Sequence, residues 1–304
     1  MSRFLLCFRN SVLDFTPTDP YNRSPGGTEM HSTLKKWFPL VVLFAAPALF
    51  FAQEKQAAPK LTNEQMEHFL QTAKIVKIKE LSVGVTDSRR ANLDDGTIQH
   101  SAHVQSIDEH KAKFEGERGT EMNFVDTWMY NVAAYRLSRV LDIDMVPVSV
   151  ERKVDGKPCA VTWWIDDSMM EVDRKKKGLS SPDPDAWNRE MYVVRVFDQL
   201  IWNTDRNLQN LLVDPAWHIW MIDHTRAFRL YNSIKDPKDL VMCDRKLLGK
   251  LRELDAKSLA SLKPYIGNGE IHGLLARRDK IVAFFDQQVK AKGEAAVLYD
   301  RPAR

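Results

Sequence analysis

With 304 residues, 44% of them hydrophobic and 28% charged, the chain has ordinary globular composition and enough length for one large domain or two lobes around a sizeable core. Its net charge of +3 is too small to draw it to nucleic acid, and no basic stripe interleaves with aromatic residues, which excludes a nucleic-acid partner. The local run Arg174-Lys175-Lys176-Lys177 reads as a solvated loop.

Residues 1–29 are polar, rich in Pro and Gly, and aperiodic. A different pattern begins at Met30. Lys35 and Lys36 form a basic n-region before an apolar stretch, residues 37–52, which is short for a membrane span and fits a secretory signal. Cleavage is expected after Ala48 or nearer Ala52, with an uncleaved N-terminal anchor as the competing reading. A signal normally begins at its initiator Met, so residues 1–29 read as an over-extended start. The expectation is export to the periplasm or medium, with no stable membrane insertion once residues 30–52 are removed. Cys7 would leave with the leader; Cys159 and Cys243 are too few for a disulfide framework, although one bridge is open to them.

Beyond the leader, a Thr62-Asn63-Glu64 cap signal opens a short amphipathic helix over 61–73. Strands are expected at 75–85 and 97–107, separated by the polar segment TDSRRANLDDG (86–96). Residues 124–141 read as a helix, because Val125, Met129, Ala133, Leu137 and Val140 recur at helical spacing. Strands follow at 146–152 and 160–165, joined through VDGKP. The hydrophilic segment 166–186 reads as a connector, 187–202 as a helix, and helices recur within 247–254, 256–262 and 270–289. Strands first and helices later give an α+β, two-lobed layout, with an N-lobe over 61–165 and a C-lobe over 187–304.

Between the connector and the last helices lies NTDRNLQNLLVDPAWHIWMIDHTRAF, residues 203–228. Leu211 to Val213 and Ile219 to Ile222 form two β-prone runs, and Asp214-Pro215-Ala216 between them has turn chemistry. Antiparallel pairing would set Asn210 opposite Asp223 at the open end, about 4.5–5.5 Å apart. Two oxygen ligands at that separation can share a hard cation such as Mg²⁺, with Asp205 as a second carboxylate close by. His100 and His103 stand at an odd separation, on opposite faces of a strand, and do not form a joint metal site.

FDQLIWNTDRNLQNLLVD followed by MIDHTRAF resembles the catalytic core of atypical kinases. The resemblance is to the phosphatidylinositol 3-/4-kinase-like proteins, and more distantly to bacterial persistence-toxin kinases and secretory-pathway kinases. It implies a two-lobed protein-kinase-like fold with ATP between the lobes. On the matching positions, Asp205 would orient or deprotonate an acceptor hydroxyl, and Asn210 and Asp223 would hold Mg²⁺ (or Mn²⁺) against the ATP phosphates. Arg206 would organise the loop by pairing with a residue such as Asp198, and the segment 84–96 would cover the phosphates.

Two positions depart from the pattern. Where such kinases carry a phosphate-holding Lys on a strand and its Glu partner on a helix, this chain has Gln105 and Asn131. Lys111 or Lys113 could substitute, paired with Glu115 or Glu117. Two functional readings result: an exported ATP- and metal-dependent phosphotransferase acting on a hydroxyl of protein, lipid or carbohydrate, or a pseudokinase that binds without efficient catalysis. Transfer of AMP by the same fold is a third.

Overall fold

The computed structural model describes residues 61–81, 88–116 and 119–302. By its internal contacts the chain divides into two units, residues 1–57 and 58–304. The first unit, and with it the expected leader, lies outside the described residues.

The second unit opens as its sequence requires. Helix α1 (Asn63–Thr72) starts at a capping box: Thr62 Oγ1 accepts from the Gln65 amide at 3.2 Å, and Gln65 Oε1 accepts from the Thr62 amide at 2.8 Å. Its Phe69 and Leu70 enter the core. Strands β1 (Lys74–Glu80), β2 (Arg89–Asp94) and β3 (Gln99–Gln105) follow. The segment expected as a phosphate-covering loop is thus mostly strand from residue 89 onward. Ala91 and Leu93 alternate inward there, both fully buried, which makes it a half-buried strand; Gly84 lies outside the described residues.

Strands β4 (Asp108–Gly116) and β5 (Gly119–Thr127) form a separate antiparallel ribbon. The helix expected from residue 124 therefore begins later, as α2 (Met129–Val140). Val125 matches a helical spacing, but its segment is claimed by cross-strand pairing with His110. Strands β6 (Ser149–Val154) and β7 (Lys157–Trp163) turn through Asp155 and Gly156, whose φ angles of 52° and 79° suit a primed hairpin turn. Together they complete a five-stranded antiparallel sheet in the order β1-β2-β3-β7-β6, against which α2 packs Ala133, Ala134 and Leu137.

The connector is not plain loop. It contains β8 (Met169–Met170) and α3 (Glu171–Lys176), the latter taking in most of the basic run. Helix α4 (Pro184–Ile201) leads to the hairpin of β9 (Leu211–Val213) and β10 (Ile219–Met221), and β8 adds to it as a third strand. A parallel pair, β11 (Cys243–Asp244) with β12 (Leu298–Tyr299), brackets α5 (Arg245–Glu253) and α6 (Asn268–Lys292). A sheet-rich first part and a helical second part give a two-lobed kinase-like fold. Among the described residues no helix is long and apolar enough to cross a membrane. Cys159 and Cys243 are both buried free thiols, so the bridge left open to them does not form.

One buried cation joins the helical part to the hairpin segment. Arg277 on α6 has no solvent exposure. Its Nε donates to the Leu200 carbonyl at 2.7 Å, its Nη1 to the Arg229 carbonyl at 2.8 Å, and Nη1 also to that of Tyr231. Burial pushes the guanidinium down to about 10. Gly273, one turn earlier, makes room: a Cβ there would meet Arg277 Nη1 at 2.9 Å and the Arg229 carbonyl at 3.3 Å.

Candidate active site

The loop carrying Asp205 is built from the end of α4. Trp202 caps that helix in the left-handed region, φ 48°, and reverses the chain. Asn203 then bonds Asp198 on the last turn at 3.0 Å and accepts the Asp205 amide at 3.0 Å, which fixes the backbone of Asp205. Arg206 forks onto Asp198, Nε to Oδ2 at 2.8 Å and Nη2 to Oδ1 at 3.1 Å. Its Nη1 reaches the carbonyls of Asn210 and Ile222. Arg206 thus pairs with Asp198 and ties the end of α4 to the carbonyls of Asn210 and Ile222.

The hairpin is held to α4 by Glu190, which accepts the Ile219 amide at 2.6 Å and pairs with His218 at 2.9 Å. Its register differs by one residue from the expected one. Leu211 pairs Met221, and the Ile222 amide donates to the Asn210 carbonyl at 3.2 Å, so Asn210 lies opposite Ile222 rather than Asp223. The chain leaves the strand at Asp223, whose φ of 53° ends the extended run. A non-glycine residue held in that region costs free energy and is concentrated at functional sites.

Asn210 donates Nδ2 to the Asp205 carbonyl at 2.9 Å, and no hydrogen bond among the described residues takes up its Oδ1. Asp223 accepts from Thr225 Oγ1 at 3.1 Å. Burial raises the Asp223 carboxyl above the usual carboxylate range; the charges of Asp126 and Asp205 raise it further, against Thr225 and Arg206. An open amide oxygen, and a carboxylate one residue past its strand partner that burial and like charge disfavour, are donor types that fit a hard cation. Among the described residues no three His, Cys, Asp or Glu side chains form a metal cage, so such a cation would complete its shell with water and phosphate.

Gln105 and Asn131 are both buried, but the structure gives them separate partners. Gln105 Oε1 accepts from Ser88 Oγ at 3.0 Å. Asn131 Oδ1 accepts the backbone amide of His224 at 2.8 Å, which ties α2 to the residue after Asp223. Lys111 lies on the exposed ribbon, paired with Glu109 at 2.7 Å, and Lys113 pairs with Glu115.

Sequence reasoning missed Asp126 and Arg226. Asp126 sits at the end of β5, 1% exposed, and its Oδ2 accepts from Arg226 Nε at 2.7 Å. The same seam carries Arg229 against Glu121 at 2.6 Å and the Thr127 amide on the Thr225 carbonyl at 3.0 Å. The only signal was an acid and a base a hundred residues apart, which spacing cannot join.

Two histidines are kept neutral by their surroundings. Burial pushes His103 down to about 4, and burial followed by the Arg206 charge holds His224 well below its usual range. A depressed folded pKa makes the unfolded chain the better proton binder, so stability falls as pH drops below about 6.5, for His103 until about 4. Each group contributes at most about 1.4 kcal/mol per pH unit. Asp223, raised by burial, acts in the opposite sense. Urea unfolding at pH 7 and pH 5 should show the loss, and His103→Gln should remove one of its two sources.

The fold is two-lobed and kinase-like. The chain is similar to the solved structure of hydra Fam20 with sugar: the TM-score is 0.59 at 14% identity, covering 79% of this chain and 93% of that one. The Golgi casein kinase with Mn/ADP bound matches with a TM-score of 0.54 at 14% identity, covering 80% of each chain. The Helicobacter pylori proinflammatory kinase CtkA matches at 0.50 and 12% identity, covering 73% of this chain and 98% of that one. At these identities the likeness is one of fold. No protein-family model and no curated protein matches the chain.

Proposed function

We propose that this chain is an exported ATP-dependent phosphotransferase of kinase type, using Mg²⁺ or Mn²⁺ and acting on a hydroxyl acceptor. The observation that carries the reading is the Asp205, Asn210 and Asp223 arrangement, braced by Arg206 on Asp198. Asn210 and Asp223 would hold the metal, which neutralises phosphate charge when bound. Asp205 orients the acceptor hydroxyl and takes its proton as the acceptor oxygen bonds to the γ-phosphorus and the bond to the β-phosphate oxygen breaks, releasing ADP. The likeness to phosphatidylinositol 3-/4-kinase-like proteins rests on the loop motif alone; protein, lipid and carbohydrate hydroxyls all fit the chemistry.

A pseudokinase is the second reading, favoured by one observation: Gln105 and Asn131 are neutral and committed to other partners. Thermal shift of the full chain separates binding from its absence. A ligand that binds only the folded state stabilises it by about 2.7 kcal/mol at a hundredfold excess over its Kd. Mg-ATP or Mn-ATP should give such a shift, ATP with chelator should not, and Asp223→Ala should remove it. A parent chain without a metal-dependent shift overturns the reading.

A further inference from the structure

Transferring phosphate needs a cation on the phosphate chain, and the two positions where the resemblance expects the Lys–Glu pair are neutral. The cations near the site are differently engaged. Arg206 spends Nε and Nη2 on Asp198, Nη1 on two carbonyls, and Nη2 also on His224. Lys111 and Lys113 pair with glutamates on the exposed ribbon.

Arg226 is placed otherwise. It follows Asp223 by three residues, and its carbonyl accepts both the amide of Thr204 at 3.2 Å and its Oγ1 at 2.9 Å, immediately before Asp205. Its side chain is 32% exposed, while that of its partner Asp126 is 2% exposed. The pair is held by a single bond, Nε to Oδ2. Among the described residues neither Nη group of Arg226 has a hydrogen bond, and Asp126 Oδ1 is buried without one. Phe124 lies 5.4 Å from the guanidinium carbon and limits its swing. A buried carboxylate thus grips one edge of the guanidinium and leaves the donor fork open. The Arg226 backbone pairs with the residue before Asp205 and lies three residues past Asp223, in the two loops that carry the proposed carboxylates.

We propose that Arg226, aimed by Asp126, is the phosphate-binding cation of this site, in place of the strand lysine, with the triphosphate of a nucleotide as its ligand. The inference rests on the phosphotransferase reading. A guanidinium held along one edge presents two parallel N–H groups to phosphate oxygens, a geometry that an ammonium cannot reproduce. Asp126 acts as a positioning residue: it contacts Arg226 and crosses from the sheet-rich part to the loop after the hairpin.

The test is titration of the full chain with Mg-ATP for the parent, Arg226→Gln, Arg226→Lys, Asp126→Asn and Lys111→Gln. Loss of charged hydrogen bonds to phosphate should weaken Arg226→Gln by about ten- to a hundredfold. Arg226→Lys, which keeps the charge against Asp126, should lose several-fold and serves where the glutamine variant does not fold. Asp126→Asn should raise the KM for ATP more than it lowers kcat. If Arg226 were only a link between the two parts, Arg226→Gln would lower the ligand-free Tm and leave the Kd unchanged, which overturns the inference alone. A larger loss in Lys111→Gln than in Arg226→Gln does the same. A parent that does not bind Mg-ATP sinks the phosphotransferase reading and this inference with it.

Discussion

Asp205→Asn should lower phosphate transfer by two to four orders of magnitude while leaving the Kd for Mg-ATP within a few-fold of the parent. A carboxylate that orients or deprotonates the acceptor acts mainly in the transition state, and general-base contributions are typically 10²–10⁴-fold. The substitution is nearly isosteric, and the local frame rests mainly on the backbone of Asp205, its carboxylate taking only a long bond from Asn207 at 3.5 Å that the Asn amide oxygen can also accept. The Asp205 amide is held by Asn203, and its carbonyl by Asn210. Single-turnover transfer and equilibrium titration on the same preparation separate the two quantities. Equal losses in both would place Asp205 in binding, and no change in either would favour the pseudokinase.

The largest stability effect is expected at Arg277. Arg277→Met fills the volume but leaves the carbonyls of Leu200, Arg229 and Tyr231 without their donor. Hydrogen bonds from a charged donor contribute about 1.5–3 kcal/mol each, and an unsatisfied buried acceptor costs a similar amount. Against this, methionine removes a buried charge that is itself disfavoured, as the fall to about 10 records. The three acceptors outweigh the one charge, so a net loss of about 3 kcal/mol is expected. For a folded unit of this size that is a fall in Tm of about 6–12 °C. Calorimetry checks it, and a variant as stable as the parent would mean that those carbonyls find other donors.

The parts of this fold that were legible in the sequence carry their information locally. The capping box at Thr62, the Asp155-Gly156 turn and the short hairpin strands each sit within a few residues of one another. So does the Asp198–Arg206 brace, where a short loop leaves few partners to choose from. The elements missed are those decided at long range. Strands β4 and β5 are largely exposed and show no apolar alternation, so only pairing with each other defines them. The one-residue slip that sets Asn210 opposite Ile222 comes from the connecting turn, Asp214 to His218, where Trp217 takes a φ of 67° that no residue type announces. Strand β2 was readable, since Ala91 and Leu93 alternate inward, but its two arginines, Asn92 and Asp94 resemble loop chemistry.

The two buried thiols bear on a different matter. Cys159 donates to the Arg152 carbonyl at 3.0 Å, and burial raises both thiols above their ordinary range, so neither is readily converted to the reactive thiolate. No sulfur–sulfur bond holds the described residues together. The described fold is therefore held by packing, hydrogen bonds and ion pairs, without a contribution from sulfur–sulfur bonding.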